Sequence, residues 1–316
     1  MSNRNIALVL SSGGARGYAH IGAIKVLEKH GFNITSVAGT SMGALVGGIY
    51  STGKLNDFED WVLSLDKKEV LRLTDFTISN KGLIKGKKVF DRIKQIVPEC
   101  NIEDLRIPFC AVATDILNGT ETVFTTGDLY EAIRASVSIP TVFQPYLIED
   151  RLFVDGGVLN PVPVNRVSRS ADDLLVVVDV SANIPYEKIP ESVVQPNGNH
   201  NSDSNGYNNS DNNGNNSDNW YSAQLKLLKE KLNVIIPAKK NEYIGILNIT
   251  EKTISTMIRR IAELTLENNK PDIYISISRD SFGTYDLYKG KDIIEEGEAA
   301  AERAVISYFE YCAKNL

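Results

Sequence analysis

Apolar positions in the first fifty residues alternate between short continuous runs and helical spacings. Ile6–Leu10 is an unbroken apolar run ending in Ser11-Ser12-Gly13-Gly14, the pattern of a buried parallel strand entering a loop. From Tyr18 to His30, Ile21, Ile24, Val26 and Leu27 recur at near-helical spacing, and Gly31 supplies a stop. Ile34–Ala38 predicts a second strand, broken by Gly39. A helix follows over Leu45 to Tyr50 and ends near Gly53. Strand, glycine loop, helix, strand, glycine turn and helix in this order predict an α/β fold of the doubly wound kind.

Further along, Phe109–Ala113 and Thr122–Phe124 read as strands and Asp128–Val137 as a helix. Leu152–Val154 is a short strand stopped by Asp155-Gly156-Gly157. Leu174–Val180 is the most strand-like run of the chain, and Ile273–Ile277 is a later one. The last long helix is predicted from Lys291 to Tyr311. Between these stands a segment of different character: from Asn197 to Asn219, 21 of 23 residues are Asn, Ser, Asp or Gly. Such a composition buries too little apolar surface to offset its ordering entropy, so a disordered surface insertion is expected. After it, Leu225, Leu227, Leu228, Leu232, Ile235 and Ile236 alternate with Lys226, Lys229 and Lys231. Two readings stay open for that stretch: a helix packed on the core with solvated lysines, or a basic amphipathic helix on a membrane surface. The expected organisation is therefore an α/β core over 1–182, a disordered insertion over 183–221, and a C-terminal helical extension over 222–316 completing the same domain.

Composition narrows the function. The 316 residues carry 34 basic and 40 acidic side chains, a net charge of −6, which speaks against a nucleic-acid binder. Cys100, Cys110 and Cys312 form no CxxC pair and leave one over, so they read as structural cysteines of a reducing compartment. Three histidines, none near a cysteine, make no zinc pattern, and no metal or other cofactor is expected. The apolar run at Ile6–Leu10 is too short for a signal core or a membrane span, and no stretch reaches eighteen apolar residues. The expected location is cytoplasmic, with peripheral membrane contact left open.

Three motifs carry candidate chemistry. Gly39-Thr40-Ser41-Met42-Gly43 is a G-x-S-x-G between a predicted strand and a predicted helix, the frame in which a sharp turn exposes a serine nucleophile. Ser12-Gly13-Gly14-Ala15-Arg16-Gly17 also sits at a strand end, where glycine amides can meet the negative charge that acyl transfer builds on oxygen. Asp155-Gly156-Gly157 places a carboxylate at the end of a third strand. Alone it is an ordinary turn. The histidines change its weight: a Ser–Asp–His order would need a histidine after Asp155, and His200 lies inside the Asn-rich insertion. His20 precedes the serine and reads as a packing or supporting residue. A serine hydrolase on this chain would have to use a carboxylate as its base.

The same motifs admit two rival readings. A dinucleotide loop requires G-x-G-x-x-G and an acidic residue about twenty positions on. Here Ser12 replaces the first glycine, and the second strand runs into Gly39-Thr40-Ser41 without an acid, so no nucleotide cofactor is expected. A regulatory or lipid-binding protein with an idle Ser–Asp pair is the alternative from a different class.

Together with Ala135-Ser136-Val137-Ser138-Ile139-Pro140-Thr141-Val142-Phe143-Gln144-Pro145, these blocks resemble the patatin-like phospholipases. The compact first block, ending Gly17-Tyr18-Ala19-His20-Ile21-Gly22, is similar to the small bacterial branch. The resemblance is strong over residues 6 to about 182 and weaker over Pro271–Ile277 and Asp292–Ala301. It implies a three-layer sandwich with a mainly parallel central sheet and flanking helices. It also implies a catalytic dyad of Ser41 and Asp155, an oxyanion hole at Gly13, Gly14, Arg16 and Gly17, and a nucleophile elbow flanked by Gly39 and Gly43. The implied activity is metal-independent cleavage of fatty-acyl esters through an acyl-enzyme. Phospholipids, lysophospholipids, thioesters and small esters stay open as substrates. Leu83, Ile84, Phe90 and Phe143 are candidates for the acyl lining.

Overall fold

A computed structural model describes residues 4–74, 76–79, 82–140, 142–186 and 246–315. The described residues up to Tyr186 and from Thr253 onward belong to one compact unit. The Asn-rich segment Asn197–Asn219 and the leucine–lysine segment after it lie outside the described residues.

The main unit is built on an eight-stranded mixed sheet. Its strands are β1 (Arg4–Leu10), β2 (Phe32–Thr40), β5 (Phe109–Asp115), β6 (Thr120–Phe124), β7 (Tyr146–Ile148), β8 (Arg151–Asp155), β9 (Leu174–Ala182) and β10 (Ile273–Ser278). The order is β10-β9-β1-β2-β5-β8-β7, with β6 also paired to β5. The five strands from β10 to β5 are parallel, and β6, β8 and β7 complete the sheet antiparallel. Strands β3 (Phe76–Ser79) and β4 (Gly82–Ile84) make a separate antiparallel pair.

Both faces of the middle of the parallel part are covered, which is why β1 and β9 read as unbroken apolar runs. Ile6, Leu8 and Leu10 of β1 and Val176, Val178 and Val180 of β9 point into the larger core. Helices α1 (Ala19–Lys29), α2 (Met42–Thr52), α3 (Leu55–Leu63) and the C-terminal helix α8 (Gly290–Lys314) contribute Ile24, Ile49, Phe58 and Ile294 to it. Val9, Leu175 and Val177 alternate to the opposite face, where Val162, Val164 and the last turns of α7 (Ile246–Asn268) cover them through Ala262 and Leu266. Helices, sheet and helix make the three layers. Each fully buried Leu, Ile or Val here contributes about 1.5–3 kcal/mol of hydrophobic stabilisation.

The remaining helices are α4 (Lys67–Leu73), α5 (Lys87–Ile96) and α6 (Leu129–Ser136). Helix α6 starts where the Asp128 carboxylate accepts from the Glu131 amide at 2.8 Å, a side-chain cap with Glu131 favourably placed in the first turn. Among the described residues no helix is long and apolar enough to cross a membrane.

Two boundaries around the Gly39–Gly43 turn differ from the sequence pattern. Strand β2 runs through Gly39 to Thr40, because Gly39 is paired on both sides, to Leu10 and to Ala111. Pairing overrides the weak strand preference of glycine. Helix α2 starts at Met42, three residues before the first apolar position of the predicted helix, so that Ser41 alone separates strand from helix.

Candidate active site

Strand β1 lies between β2 and β9: the chain leaves it toward β2 on one side and later returns with β9 on the other, so the sheet order switches at β1. Open α/β sheets hold ligands at the carboxyl ends of strands around such a point. The glycine loop follows β1, Ser41 follows β2, and Asp155 ends β8, beside Ala113 near the C-terminal end of β5.

Ser41 has φ 58° and ψ −124°, a backbone conformation that non-glycine residues adopt at a cost of about 1–3 kcal/mol. Its neighbours allow it. A Cβ on Gly43 would stand 2.2 Å from the Leu10 carbonyl oxygen and 2.7 Å from that of Ser11, so only glycine lets α2 approach β1 this closely. A Cβ on Gly39 would meet Gly43 itself at 2.4 Å. The Ser41 amide donates to Ser136 Oγ at 2.8 Å, and that hydroxyl donates onward to the Val112 carbonyl at 2.6 Å.

The Ser41 hydroxyl donates to Asp155 Oδ2 at 2.5 Å. The other carboxylate oxygen accepts from the Gly157 amide at 2.7 Å. The Asp155 main chain is fixed at both ends: its N–H donates to the Ser138 carbonyl at 2.9 Å, and its carbonyl accepts from Thr114 Oγ1 at 3.1 Å. Asp155 is buried, and loss of water pushes its pKa up to about 6, while the bonds from Ser41 and Gly157 pull it back down.

Gly17 lies against the nucleophile turn, where a Cβ would meet Met42 Cγ at 2.2 Å. Gly13 lies against Val180. Gly14 has φ +59°, which favours glycine, and its α-carbon faces Thr284. The amides on either side of these two are used: Ser12 N–H donates to Pro161 and Ala15 N–H to Thr284. Among the described residues the amides of Gly13 and Gly14 have no hydrogen-bond partner. The Arg16 side chain turns away from the loop's amides. Its Nε donates to the Val180 carbonyl and its Nη1 to the Phe282 carbonyl, both at 2.8 Å, and its Nη2 to Ser181 Oγ at 3.2 Å. Arg16 thus ties the loop to the end of β9.

His20 is fully buried one turn after the loop, and burial pushes its pKa down to about 4. Its Nε2 lies 2.9 Å from the Ser11 carbonyl. A carbonyl only accepts, so Nε2 carries the proton and the ring is neutral. His30 pairs instead with Glu302 at 2.6 Å, and His200 lies outside the described residues. Of the candidate lining residues, Phe90 and Phe143 flank the Arg134 guanidinium at 5.8 and 5.5 Å, and the side chains of Leu83 and Ile84 lie outside the described ones.

Sequence reasoning did not single out Ser136, Ser138, Thr114 or Val112, which position Ser41 and Asp155. Ser136 and Ser138 belong to the block Ala135–Pro145, but nothing local in that block states which atoms they meet.

A family model described as patatin-like phospholipase matches residues 8–167. An uncharacterized NTE family protein of Mycobacterium bovis is 43% identical over 196 residues, covering 62% of this chain and 54% of that protein. A lysophospholipase NTE1 of the yeast Meyerozyma guilliermondii is 32% identical over 190 residues, covering 58% of this chain and 13% of that protein. The chain thus spans about half the length of the mycobacterial relative and a small part of the yeast one. A crystal structure of VipD from Legionella pneumophila overlays with a TM-score of 0.45 at 11% identity, covering 98% of this chain and 67% of that one. With the family model running from within β1 past β8, half of the chain and both Ser41 and Asp155 included, the protein belongs to the patatin-like phospholipases.

Proposed function

We propose that the protein is a serine acyl hydrolase of lipid esters, with Ser41 as nucleophile and Asp155 as its base. The observation that carries this reading is the 2.5 Å bond from the Ser41 hydroxyl to the buried Asp155 carboxylate, at a strained turn opening a helix. The Ser41 hydroxyl attacks the ester carbonyl while Asp155 accepts its proton. The alcohol leaves with that proton, and water then attacks the acyl-enzyme with Asp155 again as base. A carboxylate of pKa about 6 is still ionised at neutral pH and is a better proton acceptor than an ordinary aspartate.

The oxyanion is assigned to the amides of Gly13 and Gly14, whose N–H groups have no partner among the described residues. Removing one such donor typically lowers the rate by about a hundred- to a thousand-fold. Gly17 gives the loop its close contact with Met42, and Arg16 fixes the loop from behind. The mechanism routes no step through a metal. The names of the relatives direct the choice of substrate toward phospholipid or lysophospholipid, with recruitment to a membrane surface as part of the proposal.

The test is hydrolysis of a medium-chain p-nitrophenyl ester and of a lysophospholipid, beside fluorophosphonate labelling, in wild type, Ser41→Ala and Asp155→Asn. Turnover and labelling are expected to vanish in Ser41→Ala, and turnover to collapse in Asp155→Asn. Unchanged turnover in folded Ser41→Ala sinks the mechanism. Folded wild type that neither turns over nor labels favours an idle lipid-binding protein.

A further inference from the structure

A groove of about 550 Å³ opens on the outer side of α6, between that helix, the start of α5 and strand β7. Its size is that of a small-molecule site. The groove carries charges of both signs, and most of its charged groups already have partners. Lys87 Nζ pairs with Asp91 at 2.6 Å and Lys94 Nζ with Glu99 at 2.5 Å. Asp128 caps α6. The Arg134 guanidinium, nine-tenths buried, donates to Ser138 Oγ at 2.6 Å and to the Lys85 and Gln144 carbonyls at 3.0 and 3.1 Å. Among the described residues neither the Lys85 ammonium nor the Glu131 carboxylate has a hydrogen-bond or ion-pair partner.

A lone anion in this groove would face Glu131 and Asp128, and a lone cation would face Lys85 and Arg134. A ligand carrying both signs satisfies both ends at once, and the rings of Phe90, Tyr130 and Tyr146 give it an apolar wall. We propose that this groove binds a phosphoryl–ammonium zwitterion, the chemistry of a phosphocholine or phosphoethanolamine headgroup, with the phosphate at Lys85 and the ammonium at Glu131. The assignment to a substrate headgroup rests on the proposed ester hydrolysis; the binding itself does not. The groove also adjoins the site through one short element. Arg134 holds Ser138, whose carbonyl holds Asp155, and Ser136 of the same helix holds the Ser41 amide.

The test is calorimetric titration of full-length Ser41→Ala protein with glycerophosphocholine, glycerol 3-phosphate and choline, at low ionic strength. Charge-assisted contacts of this kind change affinity by about tenfold or more each. Glycerophosphocholine is expected to saturate one site and to bind about tenfold tighter than either half-ligand. Lys85→Ala and Glu131→Gln, both surface changes checked by thermal melting, are each expected to weaken it by a similar factor. Glu131→Gln should also close the gap between glycerophosphocholine and glycerol 3-phosphate. A silent titration, equal affinity for glycerol 3-phosphate, or affinity unmoved by both substitutions overturns the proposal.

The source of the headgroup is read from wild-type hydrolysis of p-nitrophenyl butyrate. Competitive inhibition by glycerophosphocholine assigns the groove to the substrate's own headgroup, and a change in kcat alone assigns it to a soluble effector. Saturation without any kinetic effect breaks the link to Ser41 and Asp155. Because Ser41→Ala binds without turnover, a wild type that hydrolyses nothing would refute the catalytic reading and leave the groove standing.

Discussion

Replacing the proposed base should make the protein more stable while abolishing its activity. Asp155 is buried, and its pKa is pushed from the ordinary 3.8 up to about 6, with loss of water as the first cause. At 1.36 kcal/mol per pKa unit, that difference means the ionised carboxylate destabilises the fold by about 3 kcal/mol. The sign follows from proton binding: between pH 3.8 and 6 the folded state binds the proton that the unfolded state has lost, so stability falls as pH rises through this window and stays lowered above it. Asp155→Asn removes the charge and keeps the shape. Its amide can donate to Ser41 Oγ and its carbonyl oxygen can still accept from Gly157. Urea denaturation of both proteins from pH 4 to pH 8 is the assay. The variant should gain up to about 3 kcal/mol on wild type at pH 8, and that advantage should shrink steadily below pH 6 and level off near pH 4. A stability difference that stays constant across this range, or that favours wild type more at pH 8 than at pH 4, would falsify the claim that Asp155 sits ionised against its own desolvation.

The same carboxylate sets the rate profile: kcat/KM for a p-nitrophenyl ester should fall about tenfold per pH unit below about pH 6, and a profile still flat at pH 5 would exclude Asp155 as the base. Ser136→Ala leaves the Ser41 amide and the Val112 carbonyl buried without their bridge. It should cost about 2–4 kcal/mol in urea titrations and slow fluorophosphonate labelling; full labelling speed in a destabilised variant would reduce Ser136 to a packing role. Gly43→Ala drives a methyl into two main-chain oxygens and should cost more than 3 kcal/mol, roughly the upper end for overpacking. Gly48→Ala, whose new atom would meet the Ile133 Cδ1 at 3.0 Å, should be much milder; equal melting temperatures for the two variants would contradict this.

The residues legible in the sequence were those whose signal is local. A five-residue G-x-S-x-G between a strand and a helix points to Ser41 because small neighbours and the turn are both written within it. Strands β1 and β9 were legible because burial on both faces leaves nothing polar to interrupt their apolar runs, as at Val176–Val178. Asp155 needed an argument by elimination from the histidines, and the structure places its carboxylate at the serine. What stayed hidden depends on distant segments meeting. Ser136 reaches the Ser41 amide across 95 positions, and Arg16 ends on carbonyls 164 and 266 positions away. Strand β7 is three residues long, too short for an alternation to stand out. Gly39 looked like a strand end because a glycine's local preference was visible and its two pairing partners were not.

The supports around Ser41 and Asp155 share one logic. A serine at φ 58° would relax if its peptide groups were free to turn, and a buried carboxylate would swing toward water if its main chain could follow. Neither is free. Ser41 is held through its N–H by Ser136 and through its carbonyl by the Leu45 amide in the first turn of α2. Asp155 is held through its N–H by Ser138 and through its carbonyl by Thr114. Ser136 and Ser138 belong to the end of α6 and the turn after it, and Thr114 and Val112 to β5. The hydroxyl–carboxylate contact is therefore set by where α6 packs on β5, through Ile133 and Ala135 among others. It follows that a small shift of α6 on β5 would loosen Ser41 and Asp155 together, and the two should respond as one unit to any change in that packing.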